Sequence, residues 1–365
     1  MKPHTGSTVR AIFASPINVL LIAAPISWYL SAAGGTPAWV FITAAAALIP
    51  LAGLIGLGTE QLALRSGPAW GGFLNATFGN AAELIIAVVA LRKGHVELVK
   101  ASITGSIVGN LLLVLGLSFF VGGIGRKSQK FHRTAATNTA AMLFLGVVAL
   151  VMPAVFDLSL FGRLDVESPA LESLSFFSAI VLIAAYAGSL IYAFTAQKDL
   201  FRPMSEGEHG VMLPTAVAVG VLAAGTALTT VQAEILVRGL EPALHHFGMT
   251  ELFAGVIVVA LVGNAAEHYS AVVAASKNQM ALAIEISVGS SAQIALMVAP
   301  LLVIIGPFVG QPMSLVFNPF EMAAIGLSVA TVALVANDGE SNWLEGLQLL
   351  SLYVILAAAF YVIPG

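Results

Sequence analysis

Gly79-Asn80-Ala81-Ala82-Glu83 recurs unchanged as Gly263-Asn264-Ala265-Ala266-Glu267, 184 residues further along the chain. At the same spacing, and with no gap, Ala87-Val88-Val89-Ala90 matches Ala271-Val272-Val273-Ala274, Lys93 matches Lys277, and Gly105-Ser106 matches Gly289-Ser290. One shared pentapeptide in an Ala/Gly-rich chain carries little weight, but ungapped agreement along this whole stretch marks an internal duplication. Upstream, Glu60 corresponds to Glu234 at an offset of 174, so the intervening loop is ten residues longer in the second half.

The material around the repeat is apolar. Of 365 residues 58% are hydrophobic and only 9% charged, against about 25% charged in an ordinary soluble domain. So few charges cannot cover a water-facing surface, which makes lipid the solvent. Net charge is −4 and no basic block occurs, which argues against a nucleic-acid partner. Cysteine is absent, which excludes disulfides, thiolate metal sites and cysteine nucleophiles. The first apolar run contains Pro16 and Pro25 and lacks a convincing cleavage site, so it reads as a retained span rather than a signal peptide.

A hydrocarbon core near 30 Å takes about 20 apolar helical residues. On that rule eleven spans are expected, at roughly 16–33, 37–62, 70–92, 96–124, 134–156, 170–196, 212–237, 250–275, 280–308, 318–336 and 343–363. Charges or Gly/Pro/Asn punctuation separate them, as at Arg65-Ser66-Gly67-Pro68 and Asn337-Asp338-Gly339. The expected fold is an all-α membrane protein with one extra helix and two five-helix repeats. The expected organisation is a tail and extra helix over 1–36, a first repeat over 37–196, a linker over 197–211 and a second repeat over 212–365. Five is odd, so the second copy must be inverted, and its motif should meet the first near the bilayer midplane. With the N-terminus inside, ten Lys and Arg (Lys2, Arg10, Arg65, Arg126, Lys127, Lys130, Arg133, Lys198, Arg202, Lys277) are cytoplasmic, against five (Arg92, Lys93, Lys100, Arg163, Arg238) outside. That count favours a cytoplasmic N-terminus.

Glu83 and Glu267 each fall near the middle of a predicted span. An ionisable group at that depth is expensive and usually functional. The competing reading, a protonated glutamate bonded to a neighbouring helix, suits a single residue better than two at matched repeat positions. Asn80 with Glu83, and Asn264 with Glu267, are spaced i, i+3 and share a helix face. Gly79 and Gly263 permit close helix approach or a local break. This donor set suits a hard cation such as calcium, which takes carboxylate and carbonyl oxygens. His268 stands alone beside its glutamate, so softer metals are less well served. Two carboxylates neutralise one divalent ion, and in its absence a low dielectric favours their protonated form. Antiport follows, since an empty charged site should not reorient.

Downstream, Ser106 with Asn110, and Ser290-Ser291 with Gln293, offer hydroxyl and amide oxygens, although small residues in membrane helices are often only packing contacts. Gln293 is the preferred additional ligand. Glu60 and Glu234, near the ends of the second and seventh spans, are either solvated at the interface or guard the mouths of two access routes. Glu285 has no acidic counterpart in the first copy, where Ala101 stands. His245-His246, Glu206 to His209, and Arg163 to Glu172 are expected in loops. Trp28, Trp39, Trp70 and Trp343 lie near span ends, as interfacial aromatics do.

These residues resemble the calcium/proton exchanger branch of the cation/calcium antiporter superfamily. The likeness is carried by Gly72 to Ile86, by Gly263 to His268, by Glu234-Ile235-Leu236-Val237 and by Gly289 to Leu296. It implies an eleven-span fold, calcium export or sequestration driven by inward protons, and a central glutamate in each repeat. Glu83 and Glu267 fall on those glutamates, and Glu60 and Glu234 on the peripheral acidic positions. Ala281, Ala233 and Glu285 depart from the usual family pattern, which has Asp and Ser at the first two.

Ca2+ and H+ are therefore the expected transported ions, with no cofactor and the lipid bilayer as surroundings; a homo-oligomer is compatible with this reading. A sodium-coupled or monovalent cation antiporter would share the architecture, though the Asn-Ala-Ala-Glu form favours protons. A channel is disfavoured by inverted repeats with buried carboxylates. An intramembrane hydrolase would need a His-Glu-x-x-His motif, an aspartate pair or a Ser/His dyad at depth, and none is evident. A prokaryotic plasma membrane is the simplest location for so compact a chain, and an organelle membrane is the alternative.

Overall fold

The structure is a computed structural model that describes residues 15–131, 133–161, 169–196 and 212–363. The expected tail up to residue 14, the 197–211 linker and Arg163 lie outside the described residues. Apart from one pair of two-residue strands, the described secondary structure is helical. Backbone polar groups cannot be left unpaired in hydrocarbon, and helices satisfy them within one segment.

We number the helices α1 (Pro16–Ala32), α2 (Pro37–Ala63), α3 (Gly67–Phe78), α4 (Ala81–Arg92), α5 (Val96–Gly123), α6 (Arg133–Phe161), α7 (Pro169–Ala196), α8 (Thr215–Arg238), α9 (Leu240–Phe247), α10 (Glu251–Ser276), α11 (Met280–Val309), α12 (Pro319–Val335) and α13 (Trp343–Val362). Among the described residues eight helices are long and apolar enough to cross a membrane, and α1 and α12 are shorter apolar helices. The chain is thus a multi-pass membrane protein. Local sequence sets many boundaries. Asn318 and Asn342 close capping boxes with Glu321 and Glu345, and Thr250 caps α10. Gly248, at φ +64°, ends α9 in the left-handed conformation that glycine adopts without strain.

Two helical expectations differ. The single span expected at 70–92 is two half-length helices, α3 and α4, separated at Gly79 and Asn80. Its repeat mate α10 runs through the second motif without that break. His245 and His246, expected in a loop, form the last turn of α9, and Glu172 lies in the first turn of α7.

The chain folds as two compact units, each drawing on both halves of the sequence. The first comprises Met1–Val89, Gly188–Gly248 and Val262–Ala266. At its centre α2 and α8 pack closely. A Cβ at Gly58 would stand 2.9 Å from Leu222 Cβ, and one at Gly225 would stand 3.1 Å from Ile55 Cγ1. Beyond these contacts the end of α2 meets the start of α8. Leu213 N donates to Gln61 Oε1 (2.9 Å), and Arg65 donates to Thr215 Oγ1 (2.9 Å) and to the Leu213 carbonyl. Contacts that advance along α2 retreat along α8, so the two helices are antiparallel. At the other end of α8, buried Gln232 accepts from the Ser27 hydroxyl of α1 at 2.9 Å.

The second unit comprises Ala90–Ala187, Met249–Leu261 and Glu267–Gly365. Here glycines let backbones touch. A Cβ at Gly105 of α5 would collide with the Val256 carbonyl of α10, and one at Gly255 would stand 2.5 Å from Ala101 Cβ. On α13, Gly346 faces the Gly116 carbonyl at 2.7 Å from the Cβ position, and Gly123 of α5 faces Trp343. Where no hydrophobic force draws helices together in lipid, such small-residue crossings supply the van der Waals contact. At one face the strands β1 (Gln129–Lys130) and β2 (Glu340–Ser341) pair antiparallel, and Gln129 Nε2 donates to Ala275 O (3.1 Å) and Asn278 Oδ1 (2.8 Å).

Gly105→Ala should therefore lower stability by about 1–3 kcal/mol, the usual cost of overpacking. Gly56→Ala, where no atom lies within 4 Å of the Cβ position, should be neutral or stabilising. Thermal unfolding of the two variants side by side measures this, and equal midpoints would mean that the α5–α10 crossing has room to spare.

Candidate functional site

The first motif straddles the break between α3 and α4. Asn80 is fully buried, and Glu83 is 8% exposed in the first turn of α4. Free backbone N–H groups and the helix dipole make a first turn favourable for an acidic side chain. The Glu83 side chain lies on the backbone of Gly263 in the second motif: a Cβ there would stand 3.3 Å from Glu83 Cγ and 3.8 Å from Oε1. The structure therefore brings two predicted site residues from opposite halves of the chain into contact. A Cβ at 263 would press on this side chain and oblige it to shift by a few tenths of an ångström.

The second motif is continuous helix. Asn264 is fully buried, and Glu267 hydrogen-bonds to the Ser290 hydroxyl of α11. Glu267 Oε2 is buried with no hydrogen-bond partner among the described residues. His268 Nε2 lies 3.1 Å from Asn110 Oδ1 of α5, so it is held by an amide. Ser291 Oγ reaches the Ile107 carbonyl at 3.5 Å, and these two positions are 184 residues apart, the repeat offset itself. Helices α5 and α11 therefore cross at matched positions.

The predicted downstream residues lie close by. Ser106 and Ser290 are buried and Gln293 is half-buried. Gly109–Val114 and Ile294–Val298 are π-helical turns at equivalent positions of α5 and α11. Such turns widen the helix, change which side chains face inward, and recur at functional sites. Two more, Ala254–Val259 in α10 and Glu285–Gly289 in α11, occur only in the second half among the described residues. Gly79 takes an ordinary right-handed helical conformation next to the break. Glu60 is exposed near the end of α2 and Glu234 half-buried near the end of α8. Because α2 and α8 are antiparallel, these two carboxylates lie toward opposite ends of the pair. Among the described residues no three His, Cys, Asp or Glu converge as a metal cluster. A cation here would have to complete its shell with amide, hydroxyl or backbone oxygens.

One buried acid escaped the reading of the sequence. Glu321, 1% exposed, accepts from Asn318 N (3.0 Å) and from the Thr104 hydroxyl of α5 (3.0 Å). Asn318-Pro319-Phe320-Glu321 carries its own signal, with an N-cap Asn, Pro at N1 and Glu at N3. Glu321 thus ties the start of α12 to the residue before Gly105-Ser106.

Sequence comparison agrees with the duplication. The sodium/calcium exchanger protein family matches residues 36–195 and again residues 217–362. A Ca(2+)/H(+) antiporter of Synechocystis sp. is 43% identical over 367 residues, spanning 95% of this chain and 97% of that one. The Ca(2+)/H(+) antiporter ChaA of Bacillus subtilis is 41% identical, spanning 95% and 99%. The solved structure of native YfkE superposes with a TM-score of 0.83 at 40% identity, over 95% of this chain and 100% of that one. With both halves of the chain matched, this protein belongs to the sodium/calcium exchanger protein family.

Proposed function

We propose that this protein is a secondary antiporter that exchanges Ca2+ for H+, with Glu83 and Glu267 as the groups that take either ion. The observation that carries the reading is the seating of the Glu83 carboxylate on Gly263, which ties the acid of one repeat to the motif of the other. The relatives' activity supports it: two chains at 43% and 41% identity are Ca(2+)/H(+) antiporters. In this reading Asn80, Asn264, Ser106, Ser290 and Gln293, with backbone oxygens near Gly79 and Gly263, complete the oxygen shell of a hard cation. Two carboxylates balance one Ca2+. When the ion leaves, protons must replace it, because bare charges at membrane depth are too costly to carry through a conformational change. Glu60 and Glu234 serve the two access routes.

The architecture proposed with it is eleven crossings, with α3 and α4 together making one and α9 making none. The two five-helix repeats are inverted. Antiparallel packing of α2 on its mate α8 supports inversion, as does the Ser291–Ile107 contact at the repeat offset. The N-terminus is cytoplasmic in this reading, and the membrane is a prokaryotic plasma membrane.

Proteoliposomes with an imposed proton gradient should take up Ca2+, independently of any sodium gradient. Uptake should fall to background in Glu83→Gln and in Glu267→Gln. Uptake that requires sodium, or that survives both substitutions, would remove the proton-coupled two-glutamate mechanism in favour of the sodium-coupled reading. For orientation, the absence of native cysteine allows single reporters. Lys127→Cys should react with an impermeant thiol reagent only from the cytoplasmic side, and Lys93→Cys only from the other. The reverse pattern would invert the assignment.

A further inference from the structure

A threonine inside a membrane helix commonly satisfies its hydroxyl on its own backbone, four residues back. Thr43, Thr59, Thr77, Thr230 and Thr331 all do so here, at 2.6–2.9 Å. Thr104 of α5 instead donates to Glu321 of α12 at 3.0 Å, with both side chains buried. The repeat mate of Thr104 is Val288, and each precedes a Gly-Ser pair. The duplicated scaffold therefore accepts a side chain of the same shape without a hydroxyl at this point.

The acceptor is held as firmly as the donor. The Asn318 side chain takes the N–H groups of Phe320 and Glu321, and Asn318 N donates to Glu321 Oε2 at 3.0 Å. This reciprocal capping box fixes the carboxylate to the first turn of its own helix. Oε1 is then the oxygen that takes the Thr104 hydroxyl.

Around Thr104 the middle of α5 is held on three sides, all within the second unit. Thr104 meets α12, Gly105 rests on the Val256 carbonyl of α10, and the Ile107 carbonyl takes the Ser291 hydroxyl of α11. Only the first of these joins two side chains. Buried Ser106 lies inside this clamp. The π-helical turn that begins at Gly109 carries Asn110, whose Oδ1 stands 3.1 Å from His268 Nε2. A small rotation of α5 about its axis would carry Ser106 and Asn110 with it.

We propose that Glu321 is a positioning residue for cation binding: through the Thr104 hydroxyl it fixes the rotation of α5, and so the placement of Ser106 and Asn110. This role rests on the antiport reading, in which Ser106 supplies an oxygen to Ca2+.

Ca2+ uptake by proteoliposomes, with thermal unfolding measured beside it, tests this role. Thr104→Val removes the donor and keeps the shape, and Glu321→Leu removes the acceptor. Each should raise the Ca2+ KM about tenfold, the usual loss when the support of a metal ligand is removed, with kcat little changed. Thr104→Ser keeps a donor and should retain the original KM. So should Glu321→Gln, whose amide can accept from Asn318 N and donate to the Thr104 hydroxyl. An unchanged KM in Thr104→Val, whatever its unfolding temperature, would leave Glu321 a structural tie and overturn the role. A KM raised equally in Glu321→Gln and Glu321→Leu would also overturn it, since charge rather than position would then matter. Should Glu321→Leu fail to fold, the isosteric Thr104→Val decides alone. Absence of Ca2+ uptake by the unchanged protein would remove the antiport reading and this role with it, and is seen before any variant is compared.

Discussion

Charge burial in a low-dielectric medium is the constraint on which the rest of this molecule depends. A single Asp, Lys or Arg at the centre of a membrane helix costs about 2.5–3.5 kcal/mol even on permissive insertion scales. Yet Glu83, Asn80 and Asn264 are buried within apolar helices here. The two motif carboxylates are held in different ways. Glu83 occupies the first turn of a half-length helix and lies on a glycine backbone. Glu267 takes one hydroxyl from Ser290 and keeps a second oxygen buried without a hydrogen bond among the described residues. Glu321 is different, because a backbone N–H and the Thr104 hydroxyl both donate to it. A carboxylate satisfied in that way has little reason to exchange its partners and acts as a tie between helices. Glu321 is thus held by two donors at a helix start, whereas Glu267 keeps one oxygen without a donor among the described residues.

Small residues set where these acids can sit. In lipid, helices gain nothing by hiding apolar surface from water, so their association rests on close contact. The contacts at Gly58, Gly105, Gly116, Gly255 and Gly346 bring backbones near enough for side chains such as Thr104 and Ser291 to reach another helix. The same glycines explain why the motifs are rich in Gly and Ala: bulk beside the carboxylates would hold the helices apart.

Much of this was legible in the sequence, and for physical reasons. Span positions follow from hydrophobic length, and the predicted 250–275 and 318–336 are observed as Glu251–Ser276 and Pro319–Val335. The duplicated pentapeptide marks Glu83 and Glu267 as a matched pair. A local break was one of two options that Gly79 and Gly263 offered, but which motif would break was not readable, because the identical pentapeptide forms continuous helix at 263–267. Local sequence cannot decide between the two states when the difference is imposed by packing. The π-helical turns were equally silent, since no side-chain period marks them over five or six residues. Glu321 carries an Asn-Pro-x-Glu signature, which marks a helix start and says nothing of burial. Glu285 was visible as an acid whose repeat mate is Ala101.

Identical sequence in unlike conformations is itself informative. Gly105 and Gly289 stand at matched positions in matched helices, yet one is covered by a backbone carbonyl and the other faces open space. The first motif is broken and the second continuous. Identical local sequence therefore fixes neither state, and the packing around each copy decides it.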